Sequence, residues 1–360
     1  MSVMERLKQF RFVPFLTISW TDEKSLLFQN PQKNKTMIIT LCQPLLDYRI
    51  ADFDDIISLF ELNNDDYMRI TTEKTLNMFS SKQKIMTSLG GSSLNTFLKI
   101  KECTDIDLKF FGAIGDDKEG EDLCGLMTKS GVDFYFEKIA ARGTGRCFIG
   151  LKRSKRILCT WLDASELMEP FFIEKNKNIV EQARIAYLST FIISFNINTV
   201  HSFLKYLNDS VTLVINLGSE KLYSDDNMMF IQMLLKNAKV IIGNKSEANA
   251  LIEKTLGGSV STERGMAEIS RKGTLFICTN GPESVKYAFN GEIHEVEVSK
   301  GRQVFQDTCG AGDAFAAGVL VGLYNNQATG ECVKLGVEYA LTTLEKNDKK
   351  LKKIMECTEG

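Results

Sequence analysis

The sequence predicts an α/β protein with a mostly parallel central sheet covered by helices, and three observations predict it. Short apolar runs recur at 37–42, 108–114, 185–188, 211–217, 240–243 and 275–279. Helical patterns lie between them at 117–130, 198–208, 225–237 and 245–256. The runs are continuous rather than alternating, the mark of strands buried on both faces by crossover helices.

Composition narrows the function before any motif does. The chain has 360 residues, 44% hydrophobic and 25% charged, with a net charge of -2, which is ordinary for a globular protein. That charge gives no reason to expect nucleic acid or an anionic membrane surface as partner, and no apolar run is long enough to span a bilayer. Nine cysteines are dispersed without a CxxC pair, as expected of reduced thiols in the cytoplasm rather than a disulfide framework or zinc site. Only His201 and His294 are present and neither lies in an HExxH pattern, so proton transfer falls to carboxylates.

Taken in order, residues 1–36 read as an extension of low order. Glu5, Asp22 and Glu23 argue against a transit peptide. The main domain runs from Met37 to the end of the chain, 37–360. Its first strand at 37–42 runs into a turn at Gln43-Pro44. Residues 146–151 and 156–161 form a hairpin pattern around a polar turn. With the segment from Leu45 they predict a small separate sheet, a lid with parts near 45–70 and 132–165. The alternation at 292–298 is a further strand, and the Lys-rich end of the chain reads as a solvated helix or tail.

The strongest signal for chemistry is the string DTCGAGDAF at 307–315. Gly310 and Gly312 allow a tight turn into a helix whose Phe315, Val319, Leu320 and Leu323 fall on one face. Free amides at such a helix start, with the helix dipole, bind phosphate oxygens. Asp313 stands beside that anion site, where the positive helix end favours the ionised form that a general base needs. A bare GxGD is equally consistent with Asp313 as an N-cap and the glycines as a turn. The dinucleotide pattern GxGxxG fails because Phe315 takes the third glycine's place. Gly145 and Gly150 have the spacing of a Walker loop, but Leu151 follows instead of lysine.

At this string the chain resembles the ribokinase-like (PfkB) family. The resemblance implies a three-layer α/β/α sandwich with a β lid and a kinase that uses ATP and Mg²⁺, with room for a monovalent cation. It also implies that Gly310, Ala311 and Gly312 form the anion hole, that Asp307 and Thr308 belong to the nucleotide loop, and that Asp313 deprotonates the attacking hydroxyl. Three more segments match in order. Gly90-Gly-Ser-Ser-Leu-Asn95 resembles the family's substrate-binding element, through Gly90, Gly91, Ser92 and Asn95. Asn244 and Glu247 resemble its NxxE element, which holds Mg²⁺ through water; read alone, NxxE is one helical turn with Glu247 on a solvated face. Thr279-Asn-Gly281 resembles the turn near the nucleotide, through Thr279 and Gly281.

Within the family the adenosine-kinase branch is the nearer likeness. Pro44-Leu-Leu-Asp47 resembles a segment whose aspartate holds ribose hydroxyls, and an ionised Asp47 can accept two such bonds. Read alone, Asp47 is equally a turn-capping residue after Pro44. Residues 187–195 resemble the segment that walls the nucleoside, with Phe191 placed to stack, and Arg156 aligns with a lid arginine near the phosphates. The implied reaction is phosphorylation of the 5′-hydroxyl of adenosine by a cytoplasmic monomer. The alternatives are a kinase for another nucleoside or a free sugar, and a non-catalytic nucleoside-binding relative. Cys42-Gln43 replaces the branch's Gly-Asn, Asp163 puts a carboxylate beside the expected phosphate path, and the branch's closing G-C-T-x-P is missing after Thr343.

Overall fold

A computed structural model describes residues 36–358, except 51–53, 62–66, 153–154, 259, 299–304 and 306. The extension expected at 1–36 lies outside the described residues apart from Thr36. Among the described residues the strands are β1 (Met37–Leu41), β2 (Leu45–Ile50), β3 (Tyr67–Arg69), β4 (Lys84–Gly90), β5 (Asp107–Gly115), β6 (Asp133–Ile139), β7 (Arg146–Lys152), β8 (Lys155–Trp161), β9 (Ala183–Ser189), β10 (Thr212–Asn216), β11 (Val240–Asn244), β12 (Leu275–Thr279), β13 (Val285–Phe289) and β14 (Glu292–Val296). Three helices open at the functional cleft: α1 (Ser92–Cys103), α2 (Lys245–Leu256) and α3 (Ala311–Tyr324). A long final helix, α4 (Thr329–Thr358), packs on α3.

The large sheet has the order β14-β13-β12-β11-β10-β9-β1-β5-β6. From β12 to β6 every pairing is parallel, and β13 and β14 add an antiparallel edge. Alternate residues of the inner strands enter two different cores. Ile38, Ile185, Tyr187, Val214 and Ile242 face one, while Ile39, Leu41, Ala186, Leu188 and Ile215 face the other. A sheet apolar on both faces must be covered on both, which is the physical content of the three layers.

The second, smaller sheet has the order β3-β8-β7-β2-β4 and contains the hairpin that the sequence assigned to a lid. Of the segment 132–165 expected there, β6 instead sits at the edge of the large sheet beside β5, and β7 with β8 join the small one. The sequence reading omitted β4, whose residues are mostly exposed and lack a clear two-residue alternation.

Helix α3 departs from the one-sided pattern expected of it. Every residue from Ala314 to Leu323 is buried, because the helix is packed against both α1 and α4. Its small residues permit this closeness: a Cβ on Gly318 would stand 2.4 Å from the Leu335 carbonyl oxygen of α4. The Lys-rich tail continues α4 as helix. Among the described residues no helix is long and apolar enough to cross a membrane.

Candidate active site

The carboxyl ends of β1, β9, β10, β11 and β12 carry Gln43, Phe191, Gly218, Asn244 and Thr279 at or just beyond them. That edge is where parallel α/β sheets bind ligands. The lid strand β2 leaves from the same edge, two residues after Gln43.

Gly310 is the N-cap of α3, in the left-handed region at φ 74°. A side chain there would strain the backbone, so glycine is required. Asp313 is the third residue of the helix and the N-cap position belongs to Gly310, which removes the N-cap reading of its role. Its carboxylate is held from α1 instead. Ser92 Oγ donates to Oδ1 at 2.7 Å and Asn95 Nδ2 donates to Oδ2 at 3.2 Å. Both bonds use Asp313 as acceptor, which suits an ionised carboxylate. Apart from the adjoining residues and the helix's own backbone, no atom of the described residues lies within 4 Å of a Cβ built on Gly310 or Gly312. The helix start is therefore open to a ligand, although Ala311 N already donates to the Thr308 carbonyl at 3.3 Å.

Asp47 faces the same cleft from β2. A Cβ on Gly90 would fall 1.8 Å from its Oδ1, and one on Gly91 2.5 Å from the Gln43 carbonyl oxygen. Gly90 is therefore a cradle for the Asp47 carboxylate, and Gly91 makes room for the Gln43 backbone. Burial pushes Asp47 up to about 8, with Arg49 opposing the rise and Asp313 adding to it. It is a half-buried acceptor whose charge a ligand must help to support.

Phe191 is half-buried in the short helical turn Thr190–Ser194, and its ring packs against Gly218. Gln43 fixes that turn: its Nε2 donates to the Phe191 carbonyl at 2.8 Å and to Ser194 Oγ at 2.7 Å. The Cys42-Gln43 departure thus has a structural use, since the longer amide spans from β1 to the aromatic wall.

Asn244 and Glu247 form a capping box at the start of α2. Asn244 N and Nδ2 donate to Glu247 at 2.9 and 2.7 Å, and Glu247 N donates to Asn244 Oδ1 at 3.0 Å. Glu247 is 9% exposed, which overturns the solvated-face alternative. Burial first, then the carboxylates of Glu220 and Asp313, raise it above the usual glutamate range, while the Asn244 backbone amide opposes them. A cation would relieve that crowding. Among the described residues no cluster of three His, Cys, Asp or Glu could hold a metal directly. Mg²⁺ keeps several of its waters in sites of this kind, so the pair fits it as an outer partner. Beside the pair, a groove of about 410 Å³ is lined by Asn244, Lys245, Thr279, Gly281 and their neighbours, and Gly281 has φ 58° with open space above it.

Asp307 shapes the loop ahead of α3, its Oδ1 accepting from Cys309 N at 2.9 Å; Thr308 beside it is exposed. Two residues that sequence reasoning missed support this loop. Asn347 of α4 donates from Nδ2 to the carbonyls of Cys309 at 2.8 Å and Asp307 at 3.3 Å. Arg49 of β2 places a guanidinium nitrogen 3.6 Å from Asp307 Oδ2. For Arg49 the signal existed, since a strand residue two places after Asp47 shares its face. Nothing local marks Asn347, which lies 40 residues beyond Asp307 in a polar stretch.

Two expectations stand apart from this cluster. The backbone of Arg156 lies in β8 opposite Leu151, and its side chain is outside the described residues. Asp163, at φ 38°, is engaged locally: Gly143 N donates to its Oδ2 at 2.8 Å and Arg142 pairs with Oδ1 at 3.4 Å.

Comparison with known proteins follows the same outline. The family model described as pfkB family carbohydrate kinase matches residues 64–351. Adenosine kinase 2 of Arabidopsis thaliana is 23% identical over 320 residues, covering 83% of this chain and 91% of the relative. Adenosine kinase of Saccharomyces cerevisiae is 23% identical over 335 residues, covering 86% and 94%. Among solved structures, Trypanosoma brucei brucei adenosine kinase superposes with a TM-score of 0.77 at 19% identity, covering 86% of this chain and 99% of that one. Adenosine kinase from Schistosoma mansoni in complex with 2-fluoroadenosine gives 0.76 at 22% identity, covering 86% and 95%. With a ribokinase-like fold, a family match over most of its length and a bare helix start ending in an acceptor carboxylate, the chain belongs to the pfkB family of carbohydrate kinases, phosphotransferases with an alcohol group as acceptor.

Proposed function

We propose that this protein transfers the terminal phosphoryl group of ATP to the 5′-hydroxyl of adenosine, giving AMP and ADP. The observation that carries the reading is the pair of carboxylates facing one cleft: Asp313 at the bare start of α3, and Asp47 in its glycine cradle. Its relatives named as adenosine kinases support the choice of acceptor.

Asp47 accepts hydrogen bonds from two neighbouring ribose hydroxyls, and Phe191 stacks on the base. This orients the 5′-hydroxyl toward Asp313. Ser92 and Asn95 hold the Asp313 carboxylate still, so that it takes the hydroxyl proton as the oxygen attacks. The amides of Gly310, Ala311 and Gly312, with Thr308 and Asp307 alongside, receive charge on the transferred group. Asn244 and Glu247 hold the waters of Mg²⁺, which supplies charge neutralisation, and Thr279 and Gly281 border the nucleotide. Arg156 adds a lid cation. In this reading the protein acts as a monomer in the cytoplasm, on a small molecule, with no part for nucleic acid or membrane.

The test is ADP release with Mg-ATP against adenosine, inosine, guanosine, ribose and fructose. Turnover confined to adenosine is the expected result. Turnover on another acceptor moves the substrate to a different nucleoside or sugar. No turnover with any of them, while ATP still binds, overturns the catalytic reading in favour of a nucleoside-binding relative.

A further inference from the structure

Two halves of the cleft belong to different sheets. The lid strand β2 carries Asp47, and the loop at 307–310 leads into α3 of the main domain. Within β2 the side chains alternate: Tyr48 and Ile50 are buried in the core, whereas Asp47 and Arg49 are half-buried. Residues two apart on a strand share a face, so Arg49 points the way Asp47 does.

Arg49 reaches Asp307, its Nη2 3.6 Å from Oδ2, with the two side chains 24% and 10% exposed. Asp307 is thereby divided between two tasks. One oxygen accepts from Cys309 N and shapes the loop; the other meets the lid. On the far side Asn347 holds the carbonyls of Asp307 and Cys309, and Asp348 Oδ1 lies 3.4 Å from Asp307 N. The loop is thus anchored from α4 and from β2 at once. An ion pair this long and partly solvated contributes little to stability. It is placed, however, where it joins the two moieties of the cleft.

We infer that Arg49 is a positioning residue that docks the lid strand onto the phosphate-binding loop through Asp307, so that acceptor and nucleotide sites assemble together. The inference rests on the kinase reading above. Arg49 also bears on Asp47, whose other charged or titratable neighbours are Asp313 of α3 and Cys147 of β7. Its guanidinium favours the ionised Asp47 that hydroxyl binding requires. Loss of Arg49 therefore disturbs both halves of the site by one change, which a residue with a purely local role would not do.

The test uses the full chain with Arg49→Gln, Arg49→Lys, Asp307→Asn and the Arg49→Gln/Asp307→Asn double variant. Amide hydrogen exchange at 45–50 and 307–312 is read first, because it needs no turnover. Arg49→Gln is expected to speed exchange in both segments, with Asp307→Asn adding little on top of it. In the assay, KM for acceptor and for ATP should rise together by about tenfold, the scale of one lost charged contact. The acid limb of acceptor binding should move to higher pH in Arg49→Gln but stay in Arg49→Lys, which keeps the charge. Unchanged exchange at 307–312 in Arg49→Gln, or fully additive effects in the double variant, overturns the inference. If the wild type phosphorylates no acceptor, the functional reading fails and the exchange result still decides the role of Arg49.

Discussion

Asp313 and Asp47 are the same side chain in two opposite settings on either wall of one cleft. Asp313 stands at a helix start and accepts from Ser92 and Asn95, so its negative charge is met in advance. Asp47 is desolvated against Gly90 and pushed up to about 8, so its charge is met chiefly when a ligand arrives. A prepaid carboxylate suits a base that must be ready at every turnover. One whose charge is opposed by burial suits recognition, because a ligand with two hydroxyl donors stabilises its ionised form. The difference is made by supporting residues, not by the aspartates.

The largest expected effect breaks the comparison at Asp313. Asp313→Asn should lower kcat by about 10²–10⁴-fold, the range for a lost general base, with ATP binding retained in calorimetry. Near-normal turnover would remove the base from Asp313. At Asp47 the loss should fall on KM instead. Asp47→Asn should raise KM for the nucleoside by about 10- to 100-fold, for weakened charge-assisted bonds, with a smaller change in kcat. An equal fall in kcat and kcat/KM would mean that Asp47 acts in the transition state rather than in binding.

The same residue makes an opposite prediction for stability. Its folded pKa of about 8 lies above the ordinary 3.8, so between those values the folded state binds more protons than the unfolded. Stability then falls as pH rises through that window. Asp47→Asn removes this penalty, and its Tm should exceed that of the wild type by a few degrees at pH 8 and by less at pH 5. A lower Tm at pH 8 would show that Asp47 is not under strain. Phe191→Ala should raise KM for adenosine by about tenfold while leaving KM for ATP alone, matching the loss of one stacking contact. Smallest is Asn347→Ala, expected to raise KM for ATP a few-fold through a looser loop. A change in acceptor KM alone would place Asn347's influence elsewhere.

Much of this was legible in the chain. The six apolar runs at 37–42 through 275–279 became β1, β5, β9, β10, β11 and β12, because a strand buried on both faces has no choice but to be apolar throughout. The string at 307–315 announced a helix start with a nearby carboxylate, because glycine at φ 74° and an acceptor three residues on are local requirements. The family resemblance, rather than the residues read alone, singled out Asp47, Gly90, Gly91, Ser92 and Asn95 as a set. Tertiary structure decided which of them touch: that Ser92 and Asn95 grip Asp313, and that Gly90 lies against Asp47. It placed β6 in the large sheet rather than the lid, and buried α3 on every side where its sequence suggested one. It alone brought Gln43 to Phe191, Arg49 to Asp307 and Asn347 to Cys309. Backbone conformation and burial leave their mark on neighbouring residues, whereas a polar side chain that meets its partner 38 to 258 positions away leaves none, since the pairing exists only once the layers have packed.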